Sequence, residues 1–193
     1  MKRLLSTAAL VVAGSAPAFA HVGHSATESF AAGIAHPLSG LDHVTVMVAV
    51  GLWAALKGGK ALWAWPAAFV GVMMAGGALG MAHVGLPFVE PAILASVVAL
   101  GLLVALAVDL PLAVGAAIIG AFALFHGHAH GSEVGETIGG LEYMAGFAIA
   151  TAALHAAGIG FARVAARNAL RPLVRVAGAV CVVIGAGLIG GVI

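Results

Sequence analysis

Six long apolar segments follow one another in this chain, separated by only a few polar or turn-forming residues. They cover about 36–56, 62–84, 90–108, 111–130, 138–158 and 170–191. A helix needs about 20 apolar residues to cross the hydrocarbon of a bilayer. The stretches are nearly unbroken rather than alternating in ~10-residue strands, which excludes a membrane barrel. Only 8% of the residues are charged, against about 25% in an ordinary soluble domain. The expected fold is all-α, a polytopic membrane helix bundle of six transmembrane helices. The links at 57–60, 85–87, 109–111, 131–137 and 163–171 carry glycine, proline or charges, the usual breakers. The link between the third and fourth spans is so short that these two should form a tight hairpin.

Residues 1–20 read as a signal peptide that is cleaved from the 21–193 membrane domain. Lys2 and Arg3 precede a short apolar core, and Ala18-Phe19-Ala20 has the form of a signal-peptidase site. The mature N-terminus would then lie outside the cytoplasm. The basic residues agree. Lys57, Lys60, Arg163, Arg167, Arg171 and Arg175 all lie in or beside connections on the expected cytoplasmic side, as the positive-inside rule requires. Glu28, Asp42, Glu90, Glu133, Glu136 and Glu142 fall toward the other side, and only Asp109 joins the cations. An electronegative outer mouth would concentrate cations. The single Cys181 rules out a disulfide framework within the chain. Glycines recur at small-xxx-small spacing, as in Gly76/Gly80, Gly127/Gly131 and Gly187/Gly191, a pattern that lets membrane helices approach closely. Gly127 and Gly131 also bracket histidines, where they could leave room for an ion.

Ionisable groups in membrane segments are expensive and by default functional. The fourth segment ends in Phe125-His126-Gly127-His128-Ala129-His130-Gly131-Ser132-Glu133. On a helix His126, His130 and Glu133 share one face, while His128 points to the far side. The first segment opens with His36-Pro37-Leu38-Ser39-Gly40-Leu41-Asp42-His43. His36 and His43 would lie roughly 10 Å apart along a regular helix. Either Pro37 and Gly40 bend the segment around one ion, or His36 belongs to an outer site and Asp42/His43 to a deeper one. The second arrangement is the one expected here. Glu90, His83 and Glu142 are read as supporting residues of the same path. The two clusters should form one pathway, with spans one and four side by side.

Imidazole and carboxylate without thiolate suit borderline divalent ions such as Ni2+, Co2+ and Zn2+. The set is too nitrogen-rich for Mg2+ or Ca2+. With no HExxH motif and no P-loop, neither a zinc protease nor nucleotide-driven pumping is indicated. No basic patch suggests nucleic acid, and the chain does not read as an enzyme. Two rivals to a permease remain: a membrane-held metal sensor or donor, and a haem b redox protein with His83 and His130 as axial ligands.

The motifs His36-x5-Asp42-His43 and Phe125-His126-Gly-x-Ala129-His130-Gly-x-Glu133 resemble the two signatures of the HupE/UreJ family, and the resemblance covers the whole chain. It implies a bacterial inner-membrane permease for nickel, sometimes cobalt, supplying hydrogenase or urease maturation. Nickel would be the cargo rather than a resident cofactor. The metal residues carried over are His36, Asp42, His43, His126, His130 and Glu133. Ligand chemistry alone leaves nickel, cobalt and zinc equal.

The orientation has a direct test. Fusions of a periplasm-dependent reporter are expected to be active after residues 30, 88, 134 and 193 and inactive after 59 and 166. Activity at 59 would invert the topology.

Overall fold

The computed structural model of the protein describes residues 29–134 and 137–193. The signal peptide, Glu28 and Glu136 lie outside the described residues. Within them the chain is helical: α1 (Phe30–Ser39), α2 (Leu41–Lys57), α3 (Ala61–Met81), α4 (Val89–Ala105), α5 (Leu112–Glu133), α6 (Ile138–Arg167) and α7 (Pro172–Ile189). No strand occurs among the described residues.

Four helices, α3, α5, α6 and α7, are long and apolar enough to cross a membrane. The expected first span differs. It starts earlier, at Phe30, and is split into α1 and α2, which meet at 84°. Two sequence features allow this. Pro37 lacks the amide hydrogen that would continue the backbone ladder. Gly40 closes α1 through its amide to the His36 carbonyl, then takes an extended conformation, φ −86° and ψ 121°, before α2 begins. Counted as one broken span, the pair brings the total to five. The third expected segment, α4, is an apolar helix of 17 residues, at the lower limit for crossing about 30 Å of hydrocarbon. The fifth is longer than expected. α6 continues past Gly158 to Arg167, 30 residues in all, because Phe161-Ala-Arg-Val-Ala-Ala-Arg167 contains no breaker.

The helices pair as α3 with α5, α4 with α7, and α1 and α2 with α6. α4 and α5, the expected tight hairpin, touch each other less closely than they touch these partners. α2 lies at the centre, with Val46, Met47, Ala49, Val50, Leu52, Trp53 and Ala54 fully inaccessible. Large apolar side chains such as Leu102, Ile149, Val180 and Val183 face outward, as a lipid-facing surface requires.

Backbone-to-backbone contact sets the α3–α5 pair. A Cβ on Gly127 would land on the Met73 carbonyl oxygen, one on Gly131 on that of Gly77, and ones on Gly76 and Gly80 on those of Leu124 and His128. These glycines serve packing, and the room that Gly127 and Gly131 leave is taken by the α3 backbone. Gly191, by contrast, meets nothing, so Gly187/Gly191 is not a packing pair.

One end of the bundle gathers basic groups. Lys57 pairs with Asp109, and Arg175 donates from Nε to the Ala105 carbonyl at 2.8 Å. The links after α2 and α4 therefore lie at the same end, as the sequence required. At that end the Trp53 and Trp65 rings lie 4.3 Å apart. Their indole N–H groups donate to the carbonyls of Val108 and Leu112.

The α3–α5 contact predicts a contrast between two glycines. Gly127→Ala forces the helices apart and should cost about 1–3 kcal/mol or more, read as a lowered thermal midpoint in detergent. Gly71→Ala, where a Cβ meets nothing, should leave the midpoint unchanged or slightly raised.

Candidate metal centre

The bend at Gly40 folds the last turn of α1 back over the first turn of α2. His36, in the last turn of α1, therefore meets His43 despite the seven-residue spacing. The end of α5 supplies His130 from across the bundle. One ring nitrogen from each of His36, His43 and His130 lies within 4.8 Å of the other two. The ring centroids are 5.7 Å apart for His36 and His43, 4.4 Å for His36 and His130, and 4.6 Å for His43 and His130. His36 thus shares one site with His43, against the expectation of a separate outer site.

Each carboxylate of the two motifs orients one imidazole. His43 donates from Nδ1 to Asp42 Oδ1 at 2.8 Å, and His130 from Nδ1 to Glu133 Oε2 at 3.3 Å. A carboxylate accepts only, so it draws the ring proton to Nδ1 and leaves Nε2 with a bare lone pair. The two Nε2 atoms face each other at 2.5 Å. Two lone pairs so placed repel, and a shared cation turns that repulsion into ligation. Nitrogens each about 2.0–2.1 Å from an ion stand roughly 3 Å or more apart, so a shared ion would require the two rings to part by some tenths of an ångström. Gly40 is needed here in another way. A Cβ on it would press on Asp42 Oδ1 and His43 Nδ1, both 2.8 Å away. Phe147 and Tyr143 of α6 wall the cluster, with the Phe147 ring 4.7 Å from His130 and the Tyr143 ring 5.9 Å from His36.

Deeper along α5, His126 is fully buried, its ring 5.1 Å from that of His43. Ser96 of α4 settles its tautomer. The single hydroxyl proton of Ser96 goes to the Ile93 carbonyl at 2.6 Å, so Oγ accepts from His126 Nε2 at 3.0 Å. His126 Nδ1 is left buried with no hydrogen-bond partner, a further lone pair one helical turn before His130 on α5. Ser96 was not singled out in the sequence, although it is the polar residue in the middle of an otherwise apolar segment. Tyr143, Phe147, Thr151 and His155 were detectable as one α6 stripe at four-residue spacing.

Other expected residues stand apart. His128 points away, donating from Nε2 to the Val84 carbonyl at 2.7 Å. Glu90, His83 and Glu142 are exposed and outside the three-histidine cluster. His83 sits in the α3–α4 link with φ 55°, while the His130 nitrogens face His43 and Glu133, so this pair is not set up to hold a haem. Spans one and four are not packed side by side. α2 lies on α6 and α5 on α3, while His43 of α2 meets His126 and His130 of α5 through their side chains.

The model of the HupE / UreJ protein family matches residues 8–188 of the chain. Protein HupE of Rhizobium leguminosarum bv. viciae is 49% identical over 174 residues, covering 90% of this chain and 91% of that protein. No solved structure matches.

Nickel titration of the purified protein should separate the neighbouring histidines of α5. His130→Ala should weaken binding at least tenfold. His128→Ala should bind within twofold of the parent while losing about 0.5–1.5 kcal/mol of stability with its hydrogen bond. Equal loss of binding from both would place the site elsewhere.

Proposed function

The chain belongs to the HupE/UreJ family, and on that premise we propose that it is a permease carrying Ni2+, with Co2+ as a second cargo, inward across the bacterial inner membrane. The ion would enter from the periplasm and supply the maturation of a nickel enzyme such as hydrogenase or urease. The observation that carries this reading is the convergence of the His43 and His130 Nε2 atoms, each ring held in that tautomer by its own carboxylate. His36 completes a three-nitrogen set, which suits a borderline divalent ion.

In this reading the six motif residues divide their work. His36, His43 and His130 ligate, and Asp42 and Glu133 orient the imidazoles and balance the charge of the ion. Such partners typically govern affinity by 10–100-fold. His126 takes the ion next through Nδ1. That inward continuation supports passage over a sensor or donor, whose site would be a dead end. His36 is only half-buried and is the ligand that first meets an ion from outside.

Cells expressing the chain should accumulate radioactive nickel, and excess Co2+ should compete while excess Mg2+ does not. Asp42→Asn and Glu133→Gln keep shape but can stabilise the other tautomer, so each should lower uptake about tenfold or more with normal amounts of protein in the membrane. Undiminished uptake by both variants would remove the carboxylates from the mechanism.

A further inference from the structure

Between the start of α3 and the second half of α6 the bundle leaves a groove of about 390 Å3 that is open on its outer side. Leu62, Pro66 and Val70 form its α3 wall, and Ala152, Ala156 and Ile159 its α6 wall. His155 adds its ring, but both ring nitrogens are buried, so an occupant meets carbon there. The groove exists because α3 packs on α5 and α6 on α1 and α2, while α3 and α6 touch each other less closely. The small side chains of Ala152 and Ala156 keep it open.

Its size selects the occupant. From Leu62 to Val70 it runs about 12 Å along α3, close to the ~15 Å of hydrocarbon in one leaflet. A helix is about 10–12 Å across, so a 12 Å length of one would need roughly 1,000 Å3. The groove has room for an acyl chain, not for a helix, and its apolar lining offers no grip to a polar solute.

The ends of the two walls select the headgroup. α6 has 30 residues and is about 45 Å long, more than the ~30 Å of hydrocarbon, so its last turns stand at headgroup level. Arg163 follows Ile159 by four residues and lies on the same helix face. On the other wall Lys60 precedes Leu62 by two residues. Trp63, 65% exposed, marks the same level, since tryptophan concentrates at membrane–water interfaces. Asp109, the acidic residue of this end, is taken by Lys57. Among the described residues Lys60 and Arg163 have no acidic partner. An apolar slot that ends between two uncompensated cations is complementary to an amphiphile with a negative head.

We propose that the α3–α6 groove binds one anionic phospholipid of the leaflet at the basic end, with an acyl chain between the helices and the phosphate at Lys60 and Arg163. Basic pockets between membrane helices suit anionic headgroups. The lipid also braces the metal centre. α3 holds α5, which brings His130, and α6 holds α1 and α2, which bring His36 and His43. An occupant in contact with both α3 and α6 ties these two halves together.

The test is mass spectrometry of the purified full chain released from detergent, titrated with phosphatidylglycerol or phosphatidylethanolamine of the same acyl chains. The parent should carry one phosphatidylglycerol, bound at least fivefold tighter than phosphatidylethanolamine. The double variant Lys60→Gln/Arg163→Gln should bring the two lipids within twofold of each other. Ala156→Phe fills the groove and should weaken both lipids at least fivefold, and Ala152→Leu should do the same to a lesser degree. All these variants alter exposed or half-exposed positions and should elute from a sizing column as the parent does. Arg175→Gln removes a cation of the same end on the α4–α7 side and should keep the parent's preference. Equal loss from Arg175→Gln would reduce the effect to the general charge of the basic end and overturn the site. Undiminished lipid binding by both Ala156→Phe and Ala152→Leu would overturn it too, as would a dimer in place of a lipid adduct, which would assign the groove to a second copy of the chain.

Discussion

The break at Gly40 is the constraint on which the centre depends. Within a membrane a helix satisfies its own backbone groups, and an interruption is tolerated only where it is buried in protein or lines a polar site. Here it does the latter. A straight helix would hold His36 and His43 more than a turn apart, and neither could reach the other's ion. The 84° turn closes that distance, and the missing Cβ of Gly40 leaves space for the Asp42–His43 hydrogen bond. One glycine thus provides both the turn and the room for the carboxylate that sets the tautomer of His43.

The turn alone would present two imidazoles with no third. The third comes from α5, whose height is set by its contact with α3. Gly127 and Gly131 rest on the backbone of Met73 and Gly77. A bulky residue at either glycine would shift α5 outward and withdraw His126 and His130 together, since both stand on the helix face turned toward α2. α1 is held in a similar way, with Gly33 against the Tyr143 backbone and Gly146 against that of Phe30. Small residues therefore fix the ligand positions although none of them touches the site.

This explains what the sequence could and could not disclose. The apolar segments, the basic end and the opposition of His128 to His126 and His130 follow from period and charge, which are local properties. The angle at Gly40 does not. Pro37 and Gly40 permit a bend, but its size is decided by how α1 docks on α6. The same holds for Glu90, His83 and Glu142. Their position near the ends of segments was legible, yet whether they face the cluster depends on the rotation of whole helices. Ser96 escaped notice because a lone serine in an apolar run has many ordinary uses. Its role as the acceptor that fixes His126 exists only once α4 and α5 are in place.

Accessibility falls along the path. His36 is half-buried, His43 is 5% and His130 4% exposed, and His126 is fully inaccessible. An ion that enters stepwise can exchange each water for a nitrogen and never faces the whole desolvation cost at once. On the permease reading, a first ligand that is still wetted would keep binding reversible, and conduction needs sites that release as well as capture. The opposite end is built differently. Trp53 and Trp65 are anchored to the carbonyls of Val108 and Leu112, so they tie the end of α2 and the start of α3 to the α4–α5 link. In the described arrangement the cluster is more accessible at the His36 end than Trp53 and Trp65 are at the end that carries Lys57 and Asp109.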